Sequence, residues 1–217
     1  MATPKRELSS AELHDLLTEL GARLQAKGVQ ATIYIVGGAA IALEFDVRRV
    51  TADVDAIFRP ETTVRTEAEE MAVAHGLPKD WLNSSVRGFV PGGDDGAVLL
   101  DVPGVAVSVA SPEHLLAMKM ASYRPGKDQS DLELLFDRLG ITTASEAADI
   151  ALSVYGPYTV VLPDREELLL SAQAVVERLH ARKAGRTKPG TRSREPRGTP
   201  SGGRSDVAQH GEPDVRS

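Results

Sequence analysis

Ile33-Tyr34-Ile35-Val36-Gly37-Gly38-Ala39-Ala40, followed after a short spacer by Thr51-Ala52-Asp53-Val54-Asp55-Ala56-Ile57-Phe58, is the stretch that decides the fold. Residues 33–36 are β-branched and aromatic and predict a short buried strand. The two glycines end it where residues 39–45 can begin a helix. Residues without Cβ let a backbone approach a ligand closely, and the free N–H groups at a helix start suit a phosphate. In the second half, carboxylates alternate with apolar side chains. The strand period then places Asp53 and Asp55 on one face and Val54 and Ala56 on the other. Two carboxylates so close repel unless a cation lies between them. Mg²⁺, which prefers carboxylate oxygens and substrate phosphates, is the expected occupant. A glycine turn beside two metal-holding carboxylates is a layout for displacement at the phosphorus of an NTP.

Gly37-Gly38, a spacer, then Thr51-x-Asp53-Val54-Asp55 resembles the signature of the nucleotidyltransferase (polymerase β-like) superfamily. Within it the chain is most similar to the AbiEii-type nucleotidyltransferase toxins and related bacterial families of unknown function. The resemblance spans about residues 30–140. It implies an α+β nucleotidyltransferase fold, a mixed sheet flanked by helices, with a small C-terminal helical part. It also implies a third carboxylate on a strand beside the Asp-x-Asp strand. The run Val105-Ala106-Val107-Ser108-Val109 contains none, which leaves Asp101 as the nearby candidate.

Composition sets bounds on this reading. The 217 residues allow one full domain with a small appendage, and 41% hydrophobic content suffices for a core. With no cysteine there is no disulfide framework and no thiolate metal site. No apolar run reaches the ~18 residues of a membrane span, and Met1-Ala2-Thr3-Pro4-Lys5-Arg6 lacks a signal-peptide core. A soluble, cytoplasmic protein is expected. The net charge of −6 is uneven: residues 183–217 carry eight Lys or Arg against four Asp or Glu, leaving −10 on residues 1–182. An acidic body argues against a broad nucleic-acid-binding face.

Outward from the central stretch, Leu13, Leu16, Leu17, Leu20 and Leu24 mark one face of a helix, with Ser9 and Glu12 as a capping box and Gly28 as the stop. His14 on that helix is read as a surface residue. Arg48 and Arg49 precede the aspartates, placed either to meet substrate phosphates or to balance the carboxylates. Thr51 is placed to bond a phosphate or to fix the turn. A helix is expected over 63–75, then a connection in which Trp81 packs. Strands are expected over 86–90, 97–100 and 105–109, with Asp94 and Asp95 as turn residues.

Ser111-Pro112-Glu113 starts a helix that carries Lys119. By resemblance to the toxin branch, Lys119 and the following Arg124 match an active-site lysine and its companion arginine. Lys127-Asp128-x-x-Asp131 matches the motif that follows, with Asp128 read as a helix cap. Asp131 is read for chemistry: binding substrate, acting as general base or pairing with Lys119. Further helices are expected after Thr143 and over 164–180, and a disordered tail over 183–217. The domain plan is a core over 1–110, a helical part over 111–182 and the tail.

The expected function is Mg²⁺-dependent transfer of NMP from an NTP to an acceptor hydroxyl, as the toxin of a toxin–antitoxin pair acting on tRNA or protein, with a cognate antitoxin. The catalytic set is Asp53, Asp55, Lys119 and Asp131, and the nucleotide-binding set is Gly37, Gly38, Thr51, Arg48 and Arg124. Asp53 and Asp55 also hold the metal. Two rivals stand beside it: nucleotidylation of a small molecule such as an aminoglycoside, and a catalytically silent module that binds a nucleotide or a partner.

Overall fold

The computed structural model describes residues 6–124, 126–156 and 159–186. The expected tail falls outside these residues from position 187 onward. A short strand β1 (Leu8–Ser9) leads into α1 (Ser10–Ala26), whose start is the capping box of Ser9 and Glu12. The five leucines of its apolar face are all buried. Gly21 on that face abuts Pro103, whose carbonyl oxygen would lie only 2.1 Å from an added Cβ. The absence of a side chain there allows α1 to lie directly on the loop before the last sheet strand.

The main sheet has five strands in the order β5-β4-β2-β7-β6. At its centre, β2 (Thr32–Ile35) pairs antiparallel with β4 (Val54–Arg59) and parallel with β7 (Ala106–Val109). Beyond β4 lies β5 (Leu82–Asn83), parallel to it, and beyond β7 lies the antiparallel edge strand β6 (Val98–Leu100). Ile33, Ile35, Val54, Ala56 and Phe58 are buried on one sheet face, as the period of two requires. The intervening residues face the other way: Tyr34 opposite Ile57, and Asp55 opposite Asn83. A separate two-stranded ribbon joins β1 to β3 (Val50–Thr51) and ties the start of the chain to the segment before the aspartates.

Between β2 and β3 runs α2 (Gly37–Glu44), and α3 (Glu61–His75) joins β4 to β5. Trp81 is fully buried and donates its indole N–H to the Ala68 carbonyl at 2.8 Å, so it packs as expected. After β7 the regular structure is helical: α4 (Pro112–Ala121), α5 (Gln129–Leu139), α6 (Ala144–Tyr155) and α7 (Arg165–Arg186). Ser111 caps α4 and Thr143 caps α6, each through its side-chain oxygen. α7 continues past position 180 because Arg182 and Lys183 pair with acidic residues of α5. Among the described residues, no helix is long and apolar enough to cross a membrane.

Several expectations are corrected. Residues 85–88 form a 3₁₀ turn, where a strand was expected over 86–90, and the strand in this region is the two-residue β5 just before it. The helix after the glycines begins at Gly37, so both glycines belong to its first turn. Asp94 is a buried hub rather than a turn residue alone. Its carboxylate accepts from the Tyr34 hydroxyl at 2.6 Å and the Ser111 N–H at 2.9 Å, and lies 3.3 Å from His114 Nδ1. These bonds fix the 91–96 loop to the start of α4.

Candidate active site

β2 and β7 are parallel and β4 runs against them, so the C-terminal ends of the first two meet the N-terminal end of the third. A cleft of about 690 Å³ opens there. One wall is the glycine turn with Thr51, Asp53 and Asp55, and the other is α4 and the start of α5 with Lys119, Arg124, Asp128 and Asp131. Eight of the nine expected site residues line it, although they are spread from Gly37 to Asp131 along the chain.

On the sheet wall, Gly37 has φ of 67°, a conformation that other residues adopt only with strain. A Cβ there would also lie 3.3 Å from Asp55 Oδ2. The bare backbone therefore lies against the carboxylate itself. Gly38 stands in the same relation to Thr51 Oγ1, also at 3.3 Å. The Thr51 hydroxyl donates to the Asp53 carbonyl at 2.9 Å, which realises the turn-fixing alternative. Burial and the neighbouring charge of Asp53 raise the Asp55 pKa, against the pull of hydrogen bonds from Asn83 and Ser85 and the more distant Lys119. The two carboxylates thus repel one another, and a cation between them would relieve that repulsion. Among the described residues, no group of three or more His, Asp or Glu side chains is arranged to hold a metal.

On the helix wall the charges are paired. Lys119 Nζ lies 2.8 Å from Asp128 Oδ1 and 2.8 Å from Asp131 Oδ2. Its side chain is 14% exposed, against 1% and 5% for the two carboxylates. Arg124 reaches Asp128 with Nε at 2.9 Å and a terminal nitrogen at 3.1 Å, and its backbone N–H donates to the same carboxylate at 3.0 Å. Burial works to raise the Asp128 pKa, but the hydrogen bonds from Arg124 and Lys119 outweigh it and hold the carboxyl below its ordinary value. Asp128 stands at the N-cap position of α5 without a side-chain capping bond. Its expected role as a cap is therefore replaced by that of an anchor for two cations.

Arg48 is the expected residue that does not join the site. Its side chain is 90% exposed and pairs locally with Asp46. Arg49 faces the cleft instead, paired with Asp131 and donating to Ser130 Oγ at 3.3 Å. This contact joins the segment ahead of the aspartates to the start of α5, across the cleft. Asp101 is also placed elsewhere. It follows β6 at the end where Leu100 pairs with Val107, whereas the cleft lies at the Val109 end of β7. The strand that does lie beside β4 on its far side is β5, and the residue in register with Asp55 is Asn83. An isolated two-residue strand leaves no periodic signal, so neither β5 nor Asn83 stood out in the sequence. Val86, Phe89, Leu115 and Met118 add apolar surface to the lining of the cleft.

The model of a family described as nucleotidyltransferase of unknown function (DUF6036) matches residues 11–142, and the chain belongs to that family. The matched span contains both walls of the cleft. No curated protein matches the sequence. Among solved structures, an antigenic nucleotidyltransferase-like protein from Paracoccidioides brasiliensis is similar at 17% identity, over 83% of this chain and 94% of that one. The TM-score of 0.42 is too low for that likeness to carry an argument.

Proposed function

We propose that the chain transfers a nucleoside monophosphate from an NTP to an acceptor hydroxyl. The observation that carries this reading is the assembly, in one cleft, of the Asp53–Asp55 pair against a bare glycine turn and of a partly buried, doubly anchored lysine opposite. In the reaction, the acceptor oxygen bonds to the α-phosphorus as the bond from that phosphorus to the bridging oxygen breaks. Pyrophosphate leaves with the electron pair, and the hydroxyl proton passes to solvent in the cleft.

Asp53 and Asp55, neighbouring carboxylates whose mutual repulsion a cation relieves, would hold Mg²⁺, and the ion would supply neutralisation of the phosphate oxygens. Gly37 and Gly38 admit the phosphates to the N–H groups of the first turn of α2, the positive end of its dipole. Lys119 faces the charge that develops on the leaving pyrophosphate. Because Asp128 and Asp131 already fix its ammonium, little reorganisation is needed at the moment of reaction. Asp131, engaged by both Lys119 and Arg49, serves to position those cations, and Arg124 extends the cationic wall toward the mouth.

The resemblance to AbiEii-type toxins supports reading the chain as the toxin of a toxin–antitoxin pair, with tRNA or a protein hydroxyl as acceptor. The acidic body, −10 over residues 1–182, favours a second reading in which the acceptor is a cationic small molecule. The test is transfer of label from each α-³²P-NTP, with Mg²⁺, to total RNA, total protein and a panel of aminoglycosides, comparing wild type with Asp53→Ala and Asp55→Ala. Label that vanishes in both variants identifies the acceptor class, and growth arrest on expression separates the toxin from the small-molecule enzyme. Label in no pool would overturn the transferase reading.

A further inference from the structure

Asn83 lies beside Asp55 in Cα register, on the strand next to the carboxylate strand and therefore on the same sheet face. Its carboxamide has a defined orientation. The Ser85 N–H donates to Asn83 Oδ1 at 3.1 Å and the Ser85 hydroxyl lies 2.5 Å from the same oxygen. A backbone N–H must meet an acceptor, so the carbonyl end of the side chain faces Ser85. The amide N–H₂ is left for Asp55, and Ser85 Oγ also lies 3.5 Å from Asp55 Oδ1. Asn83 and Ser85 thus form a small bracket outside the Asp55 carboxylate, on the side away from Gly37.

We propose that Asn83 is a positioning residue, an uncharged neighbour that donates to Asp55, fixes its carboxylate toward the cleft and confines the cation site to the charge of two carboxylates. The inference rests on the nucleotidyltransferase reading, in which Asp53 and Asp55 hold a divalent cation. Its chemistry follows from the side chain. An amide N–H supports an ionised carboxylate without adding charge, whereas a carboxylate at the same place would repel the pair when no metal is present and attract the metal when it is. The two substitutions of Asn83 that matter should therefore move metal affinity in opposite directions. Removing the donor should loosen the ion, and replacing the donor with a charge should tighten it.

The experiment is titration of the full chain with Mn²⁺, read by the EPR signal of the free ion, for wild type, Asn83→Leu, Asn83→Asp, Ser85→Ala and Asp55→Asn. Wild type is expected to bind one ion that Asp55→Asn loses. Asn83→Leu should weaken that binding by about 10-fold or more, the usual effect of losing a ligand's hydrogen-bond partner, with Ser85→Ala moving the same way by less. Asn83→Asp should tighten it and should show a lower Tm than wild type in EDTA, with a larger rise on adding Mn²⁺. A general packing defect would weaken binding in both Asn83 variants alike, and that result would overturn the proposal. Ser85→Ala, at an exposed position, guards against a Leu variant that fails to fold. If Mn²⁺ binds wild type and Asn83 variants equally while Asp55→Asn abolishes binding, only this inference fails. If wild type and Asp55→Asn bind alike, the metal-dependent reading fails with it.

Discussion

Replacing Lys119 with methionine separates what this residue does for the fold from what it does for chemistry. The methionine keeps the apolar stem and removes the charge, leaving Asp128 and Asp131 without one of their partners. Stripping a buried pair of one member costs about 3–5 kcal/mol when the other charge is left uncompensated. Here Asp128 keeps Arg124 and Asp131 keeps Arg49, so the expected loss is smaller, about 2 kcal/mol. Transfer should fall much further, by about 10²–10³-fold, the range for deleting one preorganised group from a transition state. Stability is read by urea denaturation through Trp81, the single tryptophan of the chain, and transfer by label from α-³²P-NTP. Adding Asp131→Asn to Lys119→Met removes an under-compensated charge and should return about 1 kcal/mol of stability with no recovery of transfer. Transfer within threefold of wild type in Lys119→Met, or transfer that recovers along with stability in the double variant, would refute the role given to the ammonium.

Gly37→Ala should cost about 1–2 kcal/mol from its left-handed backbone alone and depress transfer by displacing Asp55, whereas Gly38→Ala, without that strain, should be milder in both urea melts and turnover. Arg49→Ala should raise the KM for NTP and expose the 46–53 segment to protease, while Arg48→Ala should stay within about 0.5 kcal/mol of wild type in stability and leave turnover unchanged. Asp128 has a folded pKa below its unfolded one, so the stability it contributes is fully present above the unfolded value of 3.8 and is lost as pH falls below it. Acid melts of Asp128→Asn, less stable than wild type at neutral pH, should therefore show a shallower further loss below about pH 4. Asp55 has the opposite sign: its folded pKa is raised, so ionisation opposes folding, and Asp55→Asn should raise the Tm of metal-free protein at neutral pH.

The parts of the site that were legible in the sequence are those fixed by neighbours a few residues away. The capping box at Ser9 and Glu12, the serine cap and proline start of α4, and the alternation of Asp55 with Val54 and Ala56 each depend on local geometry, and each is seen in the fold. What was missed depends on distant partners. Nothing near Asp94 in the chain announces the hydroxyl of Tyr34, 60 residues earlier, that turns a loop carboxylate into a buried hub. The choice between Arg48 and Arg49 is decided by Ser130 and Asp131 across the cleft, which the β1–β3 ribbon brings within reach. Asn83 shows the same limit. Its meaning comes from one register pairing with Asp55, on a strand too short to leave a pattern.

The two walls of the cleft differ in kind, and the difference bears on how a nucleotide would be held. On the sheet wall the neighbouring charge of Asp53 acts on the partly buried Asp55, against hydrogen bonds from Asn83 and Ser85 and a distant lysine. Lys119 and Arg124 on the helix wall, and Arg49 reaching over from the opposite side, all lean on two buried carboxylates. A triphosphate entering this space meets cations whose positions are already set but whose charge is largely spent on Asp128 and Asp131. Tight ground-state binding by these cations alone is not expected from such a wall. The wall favours a state in which more negative charge accumulates than the substrate carries at rest, because fixed donors gain most where charge develops. On this argument, variants of Asp128 that free Lys119 and Arg124 should bind NTP more tightly yet transfer more slowly. KM and kcat would then fall together.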